Sequence, residues 1–406
     1  MKKVLIISYF FPPAGTVGVF RITKFIKYLH EFGWEPIVLT LKQDVLDCPY
    51  EDKGFLKDLP ADLQVYRTGV NRFVPFNAIE KKWVPNLLKE AKKIYCSVGF
   101  DAVLVSGPPF YASLAGFYLK KKYKVPFIFD MRDPWALSSY AKPETIQNHF
   151  DRFIVSFIEP KIIFCADVVL CASPFAVKKY SEYYSKYSDV NKKFIYLSNG
   201  FDQADYLALK AEEFLKFTII HSGKGKVISL RKKNFLTAFQ KFIQAKNFNK
   251  HDIQFIHIGE PELGLMEDVK RMGLCDYFYF AGYLPYKDCI NKCIGADLLM
   301  IFTDNNIQEA FLRPTTKMYD YTACKRPIMA IGERIGILAQ YIEEFNSNNM
   351  QLVEDSEDAI LNGLEYFYNN RYLNKRAVVY DEQIERKYHR REITKRLSDI
   401  LNEITR

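Results

Sequence analysis

What most constrains this chain is an alternation that runs its whole length. Short apolar runs with strand character recur, and helical patterns separate them. In the first half the runs are VLIIS (4–8), EPIVLT (35–40), LQVYR (63–67), AVLVS (102–106), PFIFD (126–130), DVVLC (167–171) and KFIYL (193–197). Between the first two, the spacing predicts a helix over 18–32. Ile22, Phe25, Ile26 and Leu29 form its apolar stripe, and Arg21, Lys24 and Lys27 are expected to face away. Strands that alternate with helices imply a parallel sheet covered on both faces. The pattern pauses at the turn-rich SNGFDQADY (198–206) and restarts with FTIIHS (217–222), DIQFIHIG (252–259), YFYFAGY (277–283), ADLLMIF (296–302), RPIMAIG (326–332) and MQLVED (350–355). The expected architecture is α/β, two doubly wound Rossmann-like domains over 1–198 and 199–378. A last helical segment follows within 379–406. There Ile393, Leu397, Ile400 and Leu401 share one stripe while Ile384 and Tyr388 fall on another face. At 406 residues, two domains are also the expectation from length.

Composition narrows the function classes. Apolar residues make up 49% of the chain, enough for real cores. No stretch approaches the ~20 uninterrupted apolar residues of a spanning helix, so a soluble or peripheral protein is expected. The eight cysteines include no CxxC pair and read as buried, reduced thiols of a cytoplasmic protein, with no zinc site. Charge is divided unevenly. Residues 1–200 carry 28 Lys and Arg against 19 Asp and Glu, whereas residues 201–406 carry 29 of each. The excess in the first half includes Lys81, Lys82, Lys89, Lys92, Lys93 and the run Lys120, Lys121, Lys122, Lys124. It points to an anionic partner, a membrane surface, a lipid-linked phosphate or nucleic acid, with weak attachment to anionic membrane the expectation. Nucleic acid is not expected, because the aromatics fall mostly on strands rather than among the basic runs. The opening MKKVLIIS resembles a signal peptide in charge and hydropathy, but Pro12, Pro13 and a glycine loop follow it with no A-x-A cleavage site. The segment is expected to stay as the first strand of the first sheet.

In a parallel sheet, ligands bind beyond the carboxyl ends of the strands, so the loops there are where chemistry is expected. FFPPAGTVGVFR offers Gly15 and Gly18 for close backbone approach before a helix start. It is not a dinucleotide fingerprint, since the third glycine is missing and the next strand ends in Thr40 rather than an acid. FDMRDPW crowds Asp130, Arg132 and Asp133 at a strand tip, where a carboxylate can contact a polyhydroxyl or accept a proton. HSGKGKVISLRKKNF fails as a P-loop, lacking both the earlier glycine and the Ser or Thr after Lys226. What remains is a glycine-rich turn with Gly223, Lys224, Lys226 and Arg231, suited to a diphosphate. IGEPE (258–262) and FAGYLPYKD (280–288) are strand-end loops sized to grip a nucleotide, with Glu260, Tyr283 and Leu284 as candidates. In EAFLRPTTKMYDYTACKRPIMAIG (309–332), Pro314 is expected early in a helix capped by Thr315 or Thr316. Lys317 then lies in its first turn and Asp320 one turn on.

These blocks carry a resemblance. YFFPPAGTVGVFRITKFIKYLHEFGWEPIVLT, FDMRDPW, LSNGFD, FAGYLPYKD with its following ADLLMI, and TTKMYDYTACKRPIMAI are similar in order and spacing to bacterial glycosyltransferases of family 4. The resemblance covers nearly the whole chain. It implies a GT-B fold: an acceptor-binding N-terminal domain, a donor-binding C-terminal domain facing it across a cleft, and a last helix returning to the first domain. It also implies retaining transfer of a sugar from a nucleotide-diphosphate sugar, UDP- or GDP-linked, to a saccharide or lipid-linked acceptor. The setting would be surface-polysaccharide or glycolipid assembly at the inner face of the membrane, with neither metal nor cofactor.

By the same resemblance, Gly15 and Gly18 would approach the reacting sugar and diphosphate, while Gly223, Lys224 and Arg231 would hold the diphosphate. Lys317 with Thr315 and Thr316 would form a phosphate-binding helix start, and Asp320 would meet the ribose. Asp130 and Arg132 would stand on the acceptor side, and with Arg231 and Lys317 they form the expected catalytic set. The chain departs from the family's E-x7-E pattern, because Leu312 stands eight residues before Asp320 and the nearest acid, Glu309, stands eleven before. That departure keeps open a catalytically inactive homologue acting as a binding subunit, and a nucleotide-sugar epimerase on the same fold is a further alternative.

Overall fold

The computed structural model describes residues 1–74, 78–137, 146–207, 209–224, 228, 232–303, 311–372 and 378–406. The chain forms two compact units, one of Met1–Asn199 with Arg390–Arg406 and the other of Gly200–His389. The first contains strands β1 (Lys2–Ser8), β2 (Trp34–Leu41), β3 (Gln64–Thr68), β4 (Ala102–Gly107), β5 (Phe127–Met131), β6 (Val168–Cys171) and β7 (Phe194–Tyr196). They form one parallel sheet in the order β3-β2-β1-β4-β5-β6-β7. Strand order reverses beside β1, whose Ser8 lies in register with Thr40 on one side and Ser106 on the other. The loops after β1 and β4 therefore leave the sheet in opposite senses and open a crevice at its carboxyl edge.

The helix Gly18–Leu29 buries the expected stripe, Ile22, Phe25, Ile26 and Leu29, against Val4, Ile6, Leu104 and Ile128. At about 2 kcal/mol for each fully buried aliphatic side chain, this face alone anchors the helix. Its other side differs from expectation, because Arg21 and Lys24 are buried too. Arg21 is enclosed by Asp130 and the carbonyls of Leu197 and Ser198. The helix Arg390–Ile404 lies alongside and contributes Ile393, Leu397, Ile400 and Leu401 to the same core. The segment Lys53–Asp58 covers Lys24, whose ammonium bonds Asp58 at 2.5 Å. Lys2 donates to Thr405 Oγ1 at 2.8 Å, and Trp34 Nε1 donates to Asn402 at 3.2 Å, so polar contacts fix the returning helix at its far end.

The second unit contains β8 (Phe217–Ser222), β9 (Ile253–Ile258), β10 (Phe278–Gly282), β11 (Leu298–Phe302), β12 (Ile328–Ile331) and β13 (Met350–Val353). They form a parallel sheet in the order β10-β9-β8-β11-β12-β13, and here the reversal is beside β8. Phenylalanine dominates its core, with Phe217, Phe235, Phe239, Phe242, Phe255 and Phe302 among the buried side chains. The last helical segment, expected within 379–406, is two helices, Glu382–Lys387 and Arg390–Ile404. The two apolar faces were out of phase because they serve separate cores. Tyr388 stacks among Tyr319, Tyr341 and Phe345 of the second unit, whereas Ile393 and its stripe belong to the first. All eight cysteines are free, but Cys96 and Cys275 are exposed rather than buried. Among the described residues no helix is long and apolar enough to cross a membrane.

Candidate functional site

The carboxyl edge of the second sheet gathers three glycines. Gly223 follows β8 and donates its N–H to the Ile258 carbonyl at 2.7 Å. Gly259 follows β9 and donates to the Gly282 carbonyl, also at 2.7 Å. Gly259 has φ +128°, and a Cβ there would stand 2.1 Å from the Gly223 oxygen. Only glycine permits both the backbone angle and the approach. Gly259→Ala is therefore expected to destabilise the second unit by roughly 2–4 kcal/mol, read as a lowered urea midpoint; a shift near zero would show that the loop yields.

Lys317 crosses Gly223. A Cβ on Gly223 would lie 2.6 Å from Lys317 Cε and 2.7 Å from Nζ, so the missing side chain is what makes room for the lysine. Among the described residues no carboxylate lies within ion-pair distance of the half-buried ammonium. Burial pushes its pKa down, and the nearby Asp320 and Cys289 oppose this only in part. The helix Lys317–Ala323 is pinned to the strand end by Tyr321, whose hydroxyl accepts from the Ser222 N–H at 2.8 Å. One turn on, Asp320 Oδ1 accepts from the hydroxyls of Tyr206 at 3.0 Å and Tyr286 at 2.9 Å. Burial raises both tyrosines well above their ordinary range, and the Asp320 charge adds to it, so they remain neutral donors.

Beneath the lysine lie two histidines in register on β8 and β9. The rings of His221 and His257 stack at 5.3 Å, and their Nδ1 atoms are 3.2 Å apart. His257 Nε2 faces the Glu260 carbonyl at 3.3 Å, which assigns it the proton. His257 Nδ1 is then the acceptor and His221 Nδ1 the donor, leaving the buried His221 Nε2 as a lone pair without a partner. Burial, Lys317 and His257 together hold the His221 pKa well below 6.5, so the pair is uncharged.

The edge of the first sheet is built differently. Asp130, at the tip of β5, is fully buried, and the Arg21 guanidinium donates to its oxygens at 2.9, 3.1 and 3.2 Å. Ser106 Oγ donates to Asp130 Oδ2 at 2.8 Å. Arg21 also donates to the carbonyls of Ser198 at 2.7 Å and Leu197 at 3.1 Å. Arg132 donates to the carbonyls of Gly107 at 3.0 Å, Pro108 at 2.7 Å and Gly18 at 3.3 Å. These two residues tie the loops after β1, β4 and β5 together. The rest of FDMRDPW is held from below: Tyr180 accepts from the Trp135 N–H at 2.9 Å, and the buried Glu159 accepts from the Ala136 N–H.

No protein-family model matches the chain, and no curated protein matches its sequence. Its likeness to solved structures is of fold. A sucrose-phosphate synthase of Thermosynechococcus elongatus superposes with a TM-score of 0.66 at 13% identity, over 99% of each chain. A UDP-GlcNAc 2-epimerase of Methanocaldococcus jannaschii gives 0.60 at 13% identity, also over 99% of each. The UDP-GlcNAc 2-epimerase of Neisseria meningitidis bound to UDP-GlcNAc gives 0.57 at 12%, over 99% of this chain and 100% of that one. The chain has the GT-B fold.

Within this GT-B chain, the expected site residues fall into three groups. Gly223, Lys317 and Asp320 come together at one strand edge, as described. Lys224 is exposed beside Gly223, Glu260 is exposed after β9, and Tyr283 and Leu284 are half-buried after β10. Thr316 precedes Lys317 but does not cap it, because its own backbone is already helical at φ −67° and ψ −23°. Pro314 and Thr315 lie before that helix rather than in its first turn. The second group is bonded within the first unit. Both oxygens of Asp130 accept from Arg21 or Ser106, and three N–H groups of Arg132 meet backbone carbonyls. The Gly15 N–H is taken by the Tyr50 carbonyl at 2.9 Å, and Gly18 opens the helix with its own carbonyl held by Arg132. Arg231 and Glu309, the third group, lie outside the described residues. Sequence reasoning missed His221, His257, Tyr206 and Tyr286. The histidines did leave a signal, a His-x-Gly at the ends of both β8 and β9.

Glu159, also unforeseen, gives the first unit a pH dependence. Burial pushes its carboxyl from 4.5 up to about 7, against the opposing bonds from Ala136, Tyr184 and Tyr180. The folded state thus favours the protonated acid. Its contribution is complete below the unfolded value of 4.5 and is lost as pH rises through about 7. Relative to Glu159→Gln, the parent is expected to lose roughly 2–3 kcal/mol between about pH 5 and 8. Parallel pH profiles of the urea midpoint for the two proteins would rule this out.

Proposed function

We propose that this protein is a nucleotide-sugar enzyme, and specifically a retaining glycosyltransferase. It moves a sugar from a nucleotide-diphosphate donor to a saccharide or lipid-linked acceptor in bacterial surface-polysaccharide or glycolipid assembly. The observation that carries this reading is Lys317, a half-buried cation with no carboxylate at ion-pair distance among the described residues, laid across a strand-end glycine. In the reaction the bond between the anomeric carbon and the donor phosphate oxygen breaks, and one to the acceptor oxygen forms. Negative charge develops on the departing diphosphate, whose oxygen takes the proton that the acceptor hydroxyl gives up. A cation fixed in advance at a poorly hydrated edge stabilises that charge without reorganising. On this reading Asp320, one turn from Lys317 and accepting from two tyrosines, meets the ribose. On this reading no metal is needed. We further propose that the chain works at the inner face of the membrane, its basic first half meeting anionic lipid.

A second reading is a nucleotide-sugar epimerase, favoured by the likeness in fold to UDP-GlcNAc 2-epimerases. One experiment separates the two. Incubated with UDP-GlcNAc and no acceptor, an epimerase interconverts the sugar at C2, which proton NMR detects. A transferase releases nucleoside diphosphate, and does so from a donor panel only when an acceptor is supplied. A panel of UDP- and GDP-sugars that gives neither outcome, with no donor binding by calorimetry, would favour the inactive homologue.

A further inference from the structure

The helix Ile146–Cys165 is amphipathic in an unusual sense. Its inward face carries Glu159, Ile162 and Ile163, all buried. Its outward face carries Phe153, 61% exposed, Phe157, 55% exposed, and the exposed Lys161 and Phe164. At about 100° per residue, positions 153, 157 and 164 fall within roughly 40° of one another. The Phe153 and Phe157 rings touch edge to face at 4.8 Å. Phe164 continues the surface, meeting Tyr187 at 5.3 Å, and Tyr183 and Tyr187 are themselves exposed. The Lys186 ammonium stands 4.9 Å over Tyr187 and 5.7 Å over Tyr183.

Cations rim this face. The helix Ser113–Tyr123 packs beside Ile146–Cys165, and the charges of Lys120 and Lys121 reach Cys165 at its end. Lys120 is paired with Asp167 at 2.8 Å, whereas Lys121 and Lys122 are exposed. Among the described residues nearby, the exposed acid Glu182 faces Lys178 at 4.0 Å. Exposed aromatics mixed with lysines match a bilayer surface, where rings enter the headgroup region and lysine stems carry their charge to the phosphates.

We infer that the face formed by Phe153, Phe157, Phe164, Tyr183 and Tyr187, with Lys161 and Lys186, inserts into the surface of an anionic lipid bilayer. The inference rests on the proposed membrane attachment of the basic first half and deepens it, from charge attraction alone to insertion of one defined surface. It is independent of which sugar chemistry the protein performs.

The test is co-sedimentation of the full chain with vesicles of phosphatidylglycerol and phosphatidylcholine in equal parts, and with phosphatidylcholine alone. The protein is expected to bind the anionic vesicles. Phe157→Ser should lower its partition about tenfold, and Phe153→Ser with Phe157→Ser further still, with unchanged melting because both sites are exposed. Lys161→Glu with Lys186→Glu should weaken binding at low salt, with the difference shrinking as salt rises. If the double phenylalanine variant binds like the parent while charge reversal abolishes binding, this face is not inserted and the electrostatic attachment stands without it. If the parent binds no anionic vesicle at low salt, both fall. A parent that binds no vesicles but dimerises, and becomes a monomer on the phenylalanine substitutions, would make this face an interface between copies and overturn the inference.

Discussion

Lys317→Met is expected to lower turnover of nucleotide-sugar by roughly 100- to 1,000-fold and to leave the melting temperature close to the parent's. The two halves of this expectation come from the same geometry. The ammonium lies against Gly223 with no carboxylate at ion-pair distance among the described residues, and burial lowers its pKa. A charge held in that way contributes little to folding, so its removal need not destabilise the unit. On the proposed reading it meets an anion, and losing a preorganised cation at developing charge is one of the larger single costs in catalysis. Gly223→Ala should reproduce much of the loss without touching the lysine, because its methyl would occupy the space of Lys317 Cε and Nζ. The pH profile carries the same signature. Only the protonated lysine can hold a diphosphate, so activity should fall as pH rises, with an alkaline limb below the 10.5 of an ordinary lysine. Full turnover by Lys317→Met, or a profile flat to 10.5, would remove Lys317 from the chemistry. A variant that fails to fold would leave Gly223→Ala and the pH limb to decide.

The legible parts of the molecule were those written in local periodicity. Each strand could be read because buried parallel strands are short apolar runs bounded by turns, and Lys317 and Gly223 could be found because strand-end loops are few. What could not be read depended on a second layer of packing. Arg21 lies on the polar side of its helix by spacing, yet Asp130 and the carbonyls of Leu197 and Ser198, all more than 100 residues later in the chain, cover it. Without that cover in view, Asp130 read as a carboxylate at a strand tip waiting for a ligand. Its true partner is 109 residues away in sequence. The histidine pair was hidden for a similar reason: His221 and His257 become neighbours only through the register of β8 and β9.

Arg21→Met should therefore be among the most damaging single substitutions in the first unit. Arg21 and Asp130 have side chains 2% and 0% exposed, and the guanidinium also satisfies the Ser198 and Leu197 carbonyls. Removing it leaves a buried carboxylate with Ser106 as its remaining donor among the described residues, at an expected cost of about 3–5 kcal/mol. Most of that cost is the stranded charge rather than the lost attraction. Asp130→Leu in the Arg21→Met background should then recover a large part of the stability, whereas two independent effects would add. Urea unfolding of the two single variants and the double one measures the coupling. A cost below about 1 kcal/mol for Arg21→Met would mean that water or a rearranged loop reaches Asp130 after all. The same variants decide what Asp130 does. If it is scaffold, the turnover of Asp130→Asn should follow its folded fraction. If turnover collapses in a protein that stays fully folded, Asp130 takes part in the chemistry, and the ion pair with Arg21 is the state it leaves when substrate arrives.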